Sequence, residues 1–198
     1  MREIRFEAPS WDYLYGLLLD LVDKIGRSGF KPDIIVGVSR GGWVPARVLS
    51  DLLDNSNLAN VRVEFYTGIY ETAKKPVITQ PVSLPVKDKR ILVVDDIVDS
   101  GESLRLVCDM LSREAREVKI VTLYYKPWSV LKPDYYCRET DAWVVFPWEL
   151  CETAKTIGSK MLEEGKCLKD VEAKLVEMGL SAPTVRKIVK NVFRGTEK

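Results

Sequence analysis

Histidine is absent from all 198 residues. That excludes Ser-His-Asp and Cys-His nucleophilic arrangements and any histidine-based zinc site. Proton transfer near neutral pH is then left to carboxylates, lysines, tyrosines or the substrate itself. Cysteine is scarce, with Cys108, Cys137, Cys151 and Cys167 far apart and no Cys-x-x-Cys, so the four are read as buried thiols rather than as a disulfide framework or zinc set. No apolar run approaches the roughly 20 residues of a membrane span. The opening Met-Arg-Glu-Ile-Arg-Phe-Glu also lacks the apolar stretch of a secretory signal, so a soluble, cytoplasmic protein with no membrane partner is expected. Neither sign of charge dominates: 30 basic residues face 29 acidic ones. A bulk positive field that would gather nucleic acid is therefore missing.

What is present is the alternation of an α/β domain. Trp11, Leu14, Leu18, Leu21, Val22 and Ile25 recur at helical spacing behind Ser10, a natural N-cap, with Gly26 and Gly29 as stops. Asp33 to Val38 is a continuous β-branched run, the mark of a strand buried on both faces of a parallel sheet. Pro45 to Leu53 and Ser103 to Glu114 read as helices, and Val61 to Tyr66, Arg90 to Val94 and Val118 to Tyr125 as strands. Strands alternating with helices imply right-handed crossovers and a doubly wound, mostly parallel sheet. In such sheets ligands bind beyond the carboxyl ends of the strands, the edge to which Ser39 to Gly42 and Asp95 to Gly101 belong. Thr67 to Lys89 has no period and holds Pro76, Pro81 and Pro85, which suggests a mobile flap. Three charged helices are expected near Glu149 to Leu162, Leu168 to Met178 and Ala182 to Val192. The predicted division is a domain over 1–150, including flap and hood, followed by a helical extension over 151–198.

Asp95-Asp96-Ile-Val-Asp99-Ser100-Gly101-Glu102-Ser103 follows an apolar strand and leads into a helix. One reading is a solvated acidic turn that caps the helix. The other is a ligand site: adjacent carboxylates accept hydrogen bonds from a vicinal diol or hold hydrated Mg²⁺, and amides and hydroxyls at a helix start receive an anion. Diol and phosphate at opposite ends of one loop describe a ribose 5-phosphate. The sequence has no Gly-x-x-x-x-Gly-Lys-Ser/Thr and no Gly-x-Gly-x-x-Gly, so the usual triphosphate and dinucleotide motifs are missing.

The stretch Val93 to Leu104 resembles the phosphoribosyl-pyrophosphate motif of type I phosphoribosyltransferases. The resemblance implies ribose contacts at Asp95 and Asp96, 5′-phosphate contacts at Asp99, Ser100, Gly101, Glu102 and Ser103, and Mg²⁺ at Asp95 and Asp96, directly or through water. Gly37 to Ala46 is similar to the same family's pyrophosphate loop. It implies that Ser39, Arg40, Gly41 and Gly42 hold pyrophosphate, with a cis peptide at Ser39-Arg40. Arg40 supplies a guanidinium suited to phosphate oxygens.

Tyr124-Tyr125-Lys126-Pro127 and Asp141-Ala-Trp143-Val144-Val-Phe-Pro-Trp148 resemble base-recognition elements of the 6-oxopurine enzymes. By that similarity Lys126 donates to the 6-oxo group, Trp143 stacks on the ring, and the backbone near Val144 meets the base edge. Read by themselves, Lys126 is equally a strand-end lysine and Trp143 a strand residue. The resemblance further implies transfer of phosphoribose from phosphoribosyl pyrophosphate to N9 of a purine in purine salvage, Asp99 as the group that handles the N7 proton, and a homo-oligomer, dimer or higher. A ligand-sensing regulator of gene expression on the same fold is the alternative, as is an enzyme for adenine or orotate. Lys166 to Lys190, mixed in charge with six bases and three acids, is read as a packing or dimer-forming tail, and no nucleic-acid partner is expected.

Overall fold

The computed structural model describes residues 5–67 and 74–194. Its elements run β1 (Phe6–Glu7), α1 (Trp11–Ser28), β2 (Ile34–Ser39), α2 (Trp43–Leu52), β3 (Leu58–Thr67), β4 (Lys74–Gln80), β5 (Arg90–Val98), α3 (Glu102–Leu111), β6 (Glu117–Tyr125), β7 (Tyr135–Glu139), β8 (Trp143–Val144), α4 (Leu150–Glu163), α5 (Leu168–Glu177) and α6 (Ala182–Val192). The chain forms two compact units, one of residues 14–140 and one of residues 1–13 with 141–198. The boundary expected after residue 150 falls inside α4 of the second.

In the first unit a six-stranded sheet has the order β4-β3-β2-β5-β6-β7. Every pairing but β3 with β4 is parallel, so the doubly wound α/β expectation holds. Ile34, Val36, Val38, Ile91 and Val93 are buried with Leu104, Val107 and Leu111 of α3. Burial of their apolar area is the main force that closes the unit. From β2 the chain winds through α2 to β3 on one side, and from β5 through α3 to β6 on the other. The connections therefore diverge between β2 and β5, which opens a crevice at their carboxyl ends.

Four expectations change. β5 continues to Val98 instead of stopping at Val94, because Asp95, Ile97 and Val98 keep pairing with Thr122, Tyr124 and Tyr125 of β6. The supposed flap is partly regular: β4 pairs antiparallel with β3 at the sheet edge, where Pro76 is tolerated because its missing N–H can face outward. The rest of that expectation, over 68–73, lies outside the described residues. β7 had no clear signal, since its Tyr-Tyr-Cys-Arg-Glu is too short and too polar to read as a buried strand. Nor are the cysteines uniformly buried: Cys108 and Cys137 are partly so, whereas Cys151 and Cys167 are exposed, and all four are free.

In the second unit β1 and β8 form a short parallel pair, and Trp148 packs against Trp11 and Phe146, with centroids 5.4 and 4.9 Å away. Helices α4 to α6 enclose a core of Ala154, Val171, Leu175, Met178, Val185, Val189 and Phe193. A Cβ at Gly158 would come within 2.8 Å of Phe193 Cε2, so the glycine lets α4 approach that ring. Among the described residues no helix is long and apolar enough to cross a membrane.

Asp33 buckles the first unit at the amino ends of β2 and β5. Its carboxylate accepts from Arg90 Nη2 at 2.8 Å, Nε at 3.2 Å and backbone N at 2.8 Å. The hydrogen bonds from the Arg90 side chain and backbone, more than charge alone, hold the carboxyl down to about 2 from its ordinary 3.8. The folded value is the lower one, so the contribution is present above 3.8 and is lost as pH falls through about 2. The pair is a third exposed. Asp33→Asn should therefore lower the midpoint of thermal unfolding at pH 7 by no more than roughly 2–4 °C, and the difference from wild type should close as the pH approaches about 2. Calorimetry across that range checks both.

Candidate active site

The turn after β2 lies directly on β5. A Cβ at Gly41 would overlap the Asp96 carboxylate, 2.6 Å from its Cγ, and one at Gly42 would collide with Val94 O and sit 2.8 Å from Asp95 Cα. Only residues without side chains permit this approach. The turn carries the cis peptide at Ser39-Arg40 that the family pattern implied. It is held by Gly42 N–H donating to Val38 O at 2.9 Å and Trp43 N–H to Arg40 O at 3.2 Å, and it leads straight into α2.

Successive residues of a strand point to opposite faces, and β5 is still a strand at its acid pair. Asp96, 6% exposed, faces the Gly41 turn, and its Oδ1 accepts the Ile97 N–H at 2.9 Å. Asp95 lines a recess of about 200 Å³ together with Phe65, Asp99, Ser100, Gly101 and Ser103. Although Asp95 keeps some surface, the protein around its carboxyl strips water from it, and the neighbouring charge of Asp96 adds to the effect, so its pKa rises well above 3.8.

Beyond Val98 the loop turns into α3 through Gly101, whose φ of +85° is a left-handed conformation suited to glycine. Gly101 at the N-cap has no side chain to cap the helix, and Ser100 Oγ accepts the Glu102 N–H at 3.3 Å. A second loop clamps the first: Lys126 N–H donates to Val98 O at 2.9 Å and Val130 N–H to Ser100 O at 3.0 Å. Ser129 Oγ lies where a Gly101 side chain would be.

That second loop also presents Trp128, which sequence reasoning passed over. Its indole Nε1–H donates to Asp99 Oδ1 at 2.9 Å, and the ammonium of Lys126 sits 5.1 Å from its ring centroid, within cation–π range. Asp99 and Lys126 are thus joined through one indole. The signal was only a tryptophan two places after Lys126, and nothing local says that it reaches Asp99. Lys126 itself is 5% exposed, unlike an ordinary strand-end lysine. Phe65, on β3, is the other lining residue that was missed. Trp143 and Val144 form β8 of the other unit, where the Trp143 side chain is exposed and Val144 is buried.

A larger hollow of about 810 Å³ opens at the opposite sheet edge, around Lys31, Asp33, Asn55, Leu84 and Lys89. It lies at the amino ends of β2 and β5, away from the acid pair and the helix start, and lacks the convergent chemistry of the smaller recess.

Recess, acid pair and paired-glycine turn lie together at the fork of a doubly wound sheet, and the chain belongs to the phosphoribosyl transferase domain family, whose model matches residues 13–155. A xanthine-guanine phosphoribosyltransferase of Gluconobacter oxydans is 31% identical over 152 residues, 74% of this chain and 86% of that protein. The enzyme of the same name from Cereibacter sphaeroides is 34% identical over 149 residues, 71% and 85% of the two chains. Among solved structures, a purine phosphoribosyltransferase of Pyrococcus horikoshii superposes with a TM-score of 0.66 at 39% identity, covering 72% of this chain and 92% of that one.

The raised Asp95 pKa has a consequence for stability. A folded value above the unfolded one means that the neutral acid favours the fold, fully so below 3.8, and that this support is lost as pH rises through the folded value. Asp95→Asn keeps an oxygen to accept the Asp96 N–H, now bonded at 3.0 Å. The variant should unfold a few degrees higher than wild type at pH 8, with the gap narrowing toward pH 4 (differential scanning calorimetry, no ligand). An equal or lower midpoint at pH 8 would count against a strained carboxyl.

Proposed function

We propose that the protein transfers the phosphoribosyl group of phosphoribosyl pyrophosphate to N9 of a 6-oxopurine, xanthine, guanine or hypoxanthine, releasing pyrophosphate and the nucleoside 5′-monophosphate. The observation that carries this reading is the packing of the Ser39–Gly42 turn under Asp95 and Asp96, beside the start of α3 at Gly101. Polyanion, diol and phosphate binders thereby meet at one fork. Xanthine-guanine relatives supply the acceptor class.

In this reading the amides and hydroxyls of Ser100, Gly101, Glu102 and Ser103, with Asp99 at the loop's start, hold the 5′-phosphate at the positive end of α3. Asp95 and Asp96 hold the ribose hydroxyls and, as the ring gains oxocarbenium character, stabilise its charge. Ser39, Arg40, Gly41 and Gly42 retain the departing pyrophosphate. N9 attacks C1 as the C1–oxygen bond to pyrophosphate breaks, inverting that carbon. Asp99, oriented by the Trp128 indole, receives the N7 proton, a role for which a chain without histidine has few other candidates. Lys126 donates to the 6-oxo oxygen, and the exposed indole of Trp143 with the Val144 backbone completes base recognition.

The acid pair suits Mg²⁺. Asp95 and Asp96 are hard oxygen donors, and no cluster of three or more histidine, cysteine, aspartate or glutamate ligands occurs among the described residues. Mg²⁺ characteristically uses one or two carboxylates together with water and substrate phosphates. A cation also offsets the repulsion that raises the Asp95 pKa. When bound, the ion neutralises charge on the leaving pyrophosphate. Turnover should therefore vanish in excess EDTA and return with added Mg²⁺, and activity unchanged by chelation would remove the metal from the reading.

The acceptor is tested at Lys126. An ammonium donates to a 6-oxo oxygen but meets only a donor on adenine, so adenine should be a poor substrate. Lys126→Ala should reduce kcat/KM for guanine, xanthine or hypoxanthine by about 1.5–3 kcal/mol, the loss of a charged hydrogen bond, with sugar affinity nearly intact. Steady-state kinetics over a base panel, beside calorimetric binding of phosphoribosyl pyrophosphate, decides. Wild-type efficiency in the variant, or preference of the native protein for adenine, orotate or uracil, would refute the assignment.

A further inference from the structure

The family match ends at residue 155, inside α4, so α5 and α6 fall outside it. Their bases outnumber their acids five to three, and the two signs are unevenly placed. Asp170, Glu172 and Glu177 belong to α5, whereas from Met178 to Arg194 there is no acidic residue. In that stretch Arg186, Lys187, Lys190 and Arg194 are all exposed, as are Ser181, Thr184 and Asn191. At about 100° per residue, the four cations share an arc of roughly 100° and the polar residues extend it on one side. The buried Val185, Val189 and Phe193 occupy the opposite arc. None of the four cations forms a salt bridge among the described residues.

The supports of this face are those of a presented helix. Helices α5 and α6 are joined by the four residues Met178 to Ser181, with Gly179 at φ +98°, and α4 packs behind both on the shared core. Two helices joined by a short glycine-containing turn over a third is the arrangement in which helix-turn-helix modules offer their second helix to the DNA major groove. Cations contact phosphates there, while hydroxyls and amides near the helix start reach base edges. Ser181, Thr184 and Asn191 are of that kind. Glu172 and Glu177 of α5 share a hollow with Arg186 at one border of the face, but α6 carries four cations and no acid of its own, which gives a reason to expect a polyanion.

We propose that α6 is a nucleic-acid-binding helix and that its partner is double-stranded DNA, engaged chiefly through the phosphates. This departs from the expectation of no nucleic-acid partner. It also stands apart from the transfer reaction, because no residue of the face belongs to the proposed active site.

The test is fluorescence anisotropy with a labelled duplex of mixed sequence and the full-length protein, over a salt series. With up to four phosphate contacts, log K should fall against log salt with a slope of about −3 to −4, so affinity drops about 100-fold between about 50 and 200 mM salt. Replacing Arg186, Lys187, Lys190 and Arg194 together by Gln should abolish binding and leave phosphoribosyl transfer unchanged. A charge-conserving variant (R186K, K187R, K190R, R194K) should still bind, which separates charge from misfolding. Absence of duplex binding at low salt, equal binding by the Gln variant, or preference for single-stranded RNA or for phosphatidylserine vesicles over the duplex would each overturn the proposal. Loss of the transfer reaction in wild type would bear on the enzymatic reading alone.

Discussion

Where β2 ends, its turn lies so close to β5 that a methyl group at residue 41 would overlap the Asp96 carboxylate. The rest of the site depends on this approach. It places the Ser39–Gly42 turn and the acid pair within one crevice, and it removes water from carboxylates that lie next to each other in the chain. The raised pKa of Asp95 is one outcome, and the need for two adjacent glycines is the other. Desolvated, mutually repelling carboxylates at a proposed binding site fit the ordinary trade between stability and function at such positions.

The opposite wall is built by loop on loop. Lys126 N–H and Val130 N–H donate to the carbonyls of Val98 and Ser100, so the loops that follow β5 and β6 are tied together. Trp128 then reaches back to Asp99 and receives Lys126 over its ring. The proposed proton acceptor and the proposed base selector share a single indole, which couples orientation at N7 to recognition at the 6-oxo edge. Neither residue needs a histidine for this, consistent with a sequence that has none.

The C-terminal helices show how a fold can gather an excess of charge onto one face. Lys166 to Lys190 holds six bases and three acids, and packing decides where that excess lies. Once Val171, Leu175, Val185 and Val189 turn inward together, the acids of α5 and the bases of α6 lie on different helices, and a cationic stripe remains outside.

Much of this protein was legible from sequence. Continuous β-branched runs at Asp33 to Val38 and Arg90 to Val94 announced buried parallel strands, and the 3.6-residue period of α1 and of α4 to α6 announced helices, because both depend on local spacing. The acid pair, the Ser-Gly helix start and the paired glycines were equally visible, since each is a contiguous run whose chemistry lies in its order. Other features were decided only in three dimensions. The extension of β5 through Asp95 and Asp96 arises from pairing with β6, the edge strand β4 from pairing with β3, and the Asp33–Arg90 buckle from two strand starts 57 residues apart. The Trp128–Asp99 bond spans 29 residues, and the basic face of α6 exists because a shared core turns its apolar side away. Sequence specifies what each segment must bury and which groups it carries; which groups then meet is fixed by backbone pairing and close packing between segments that no local pattern relates.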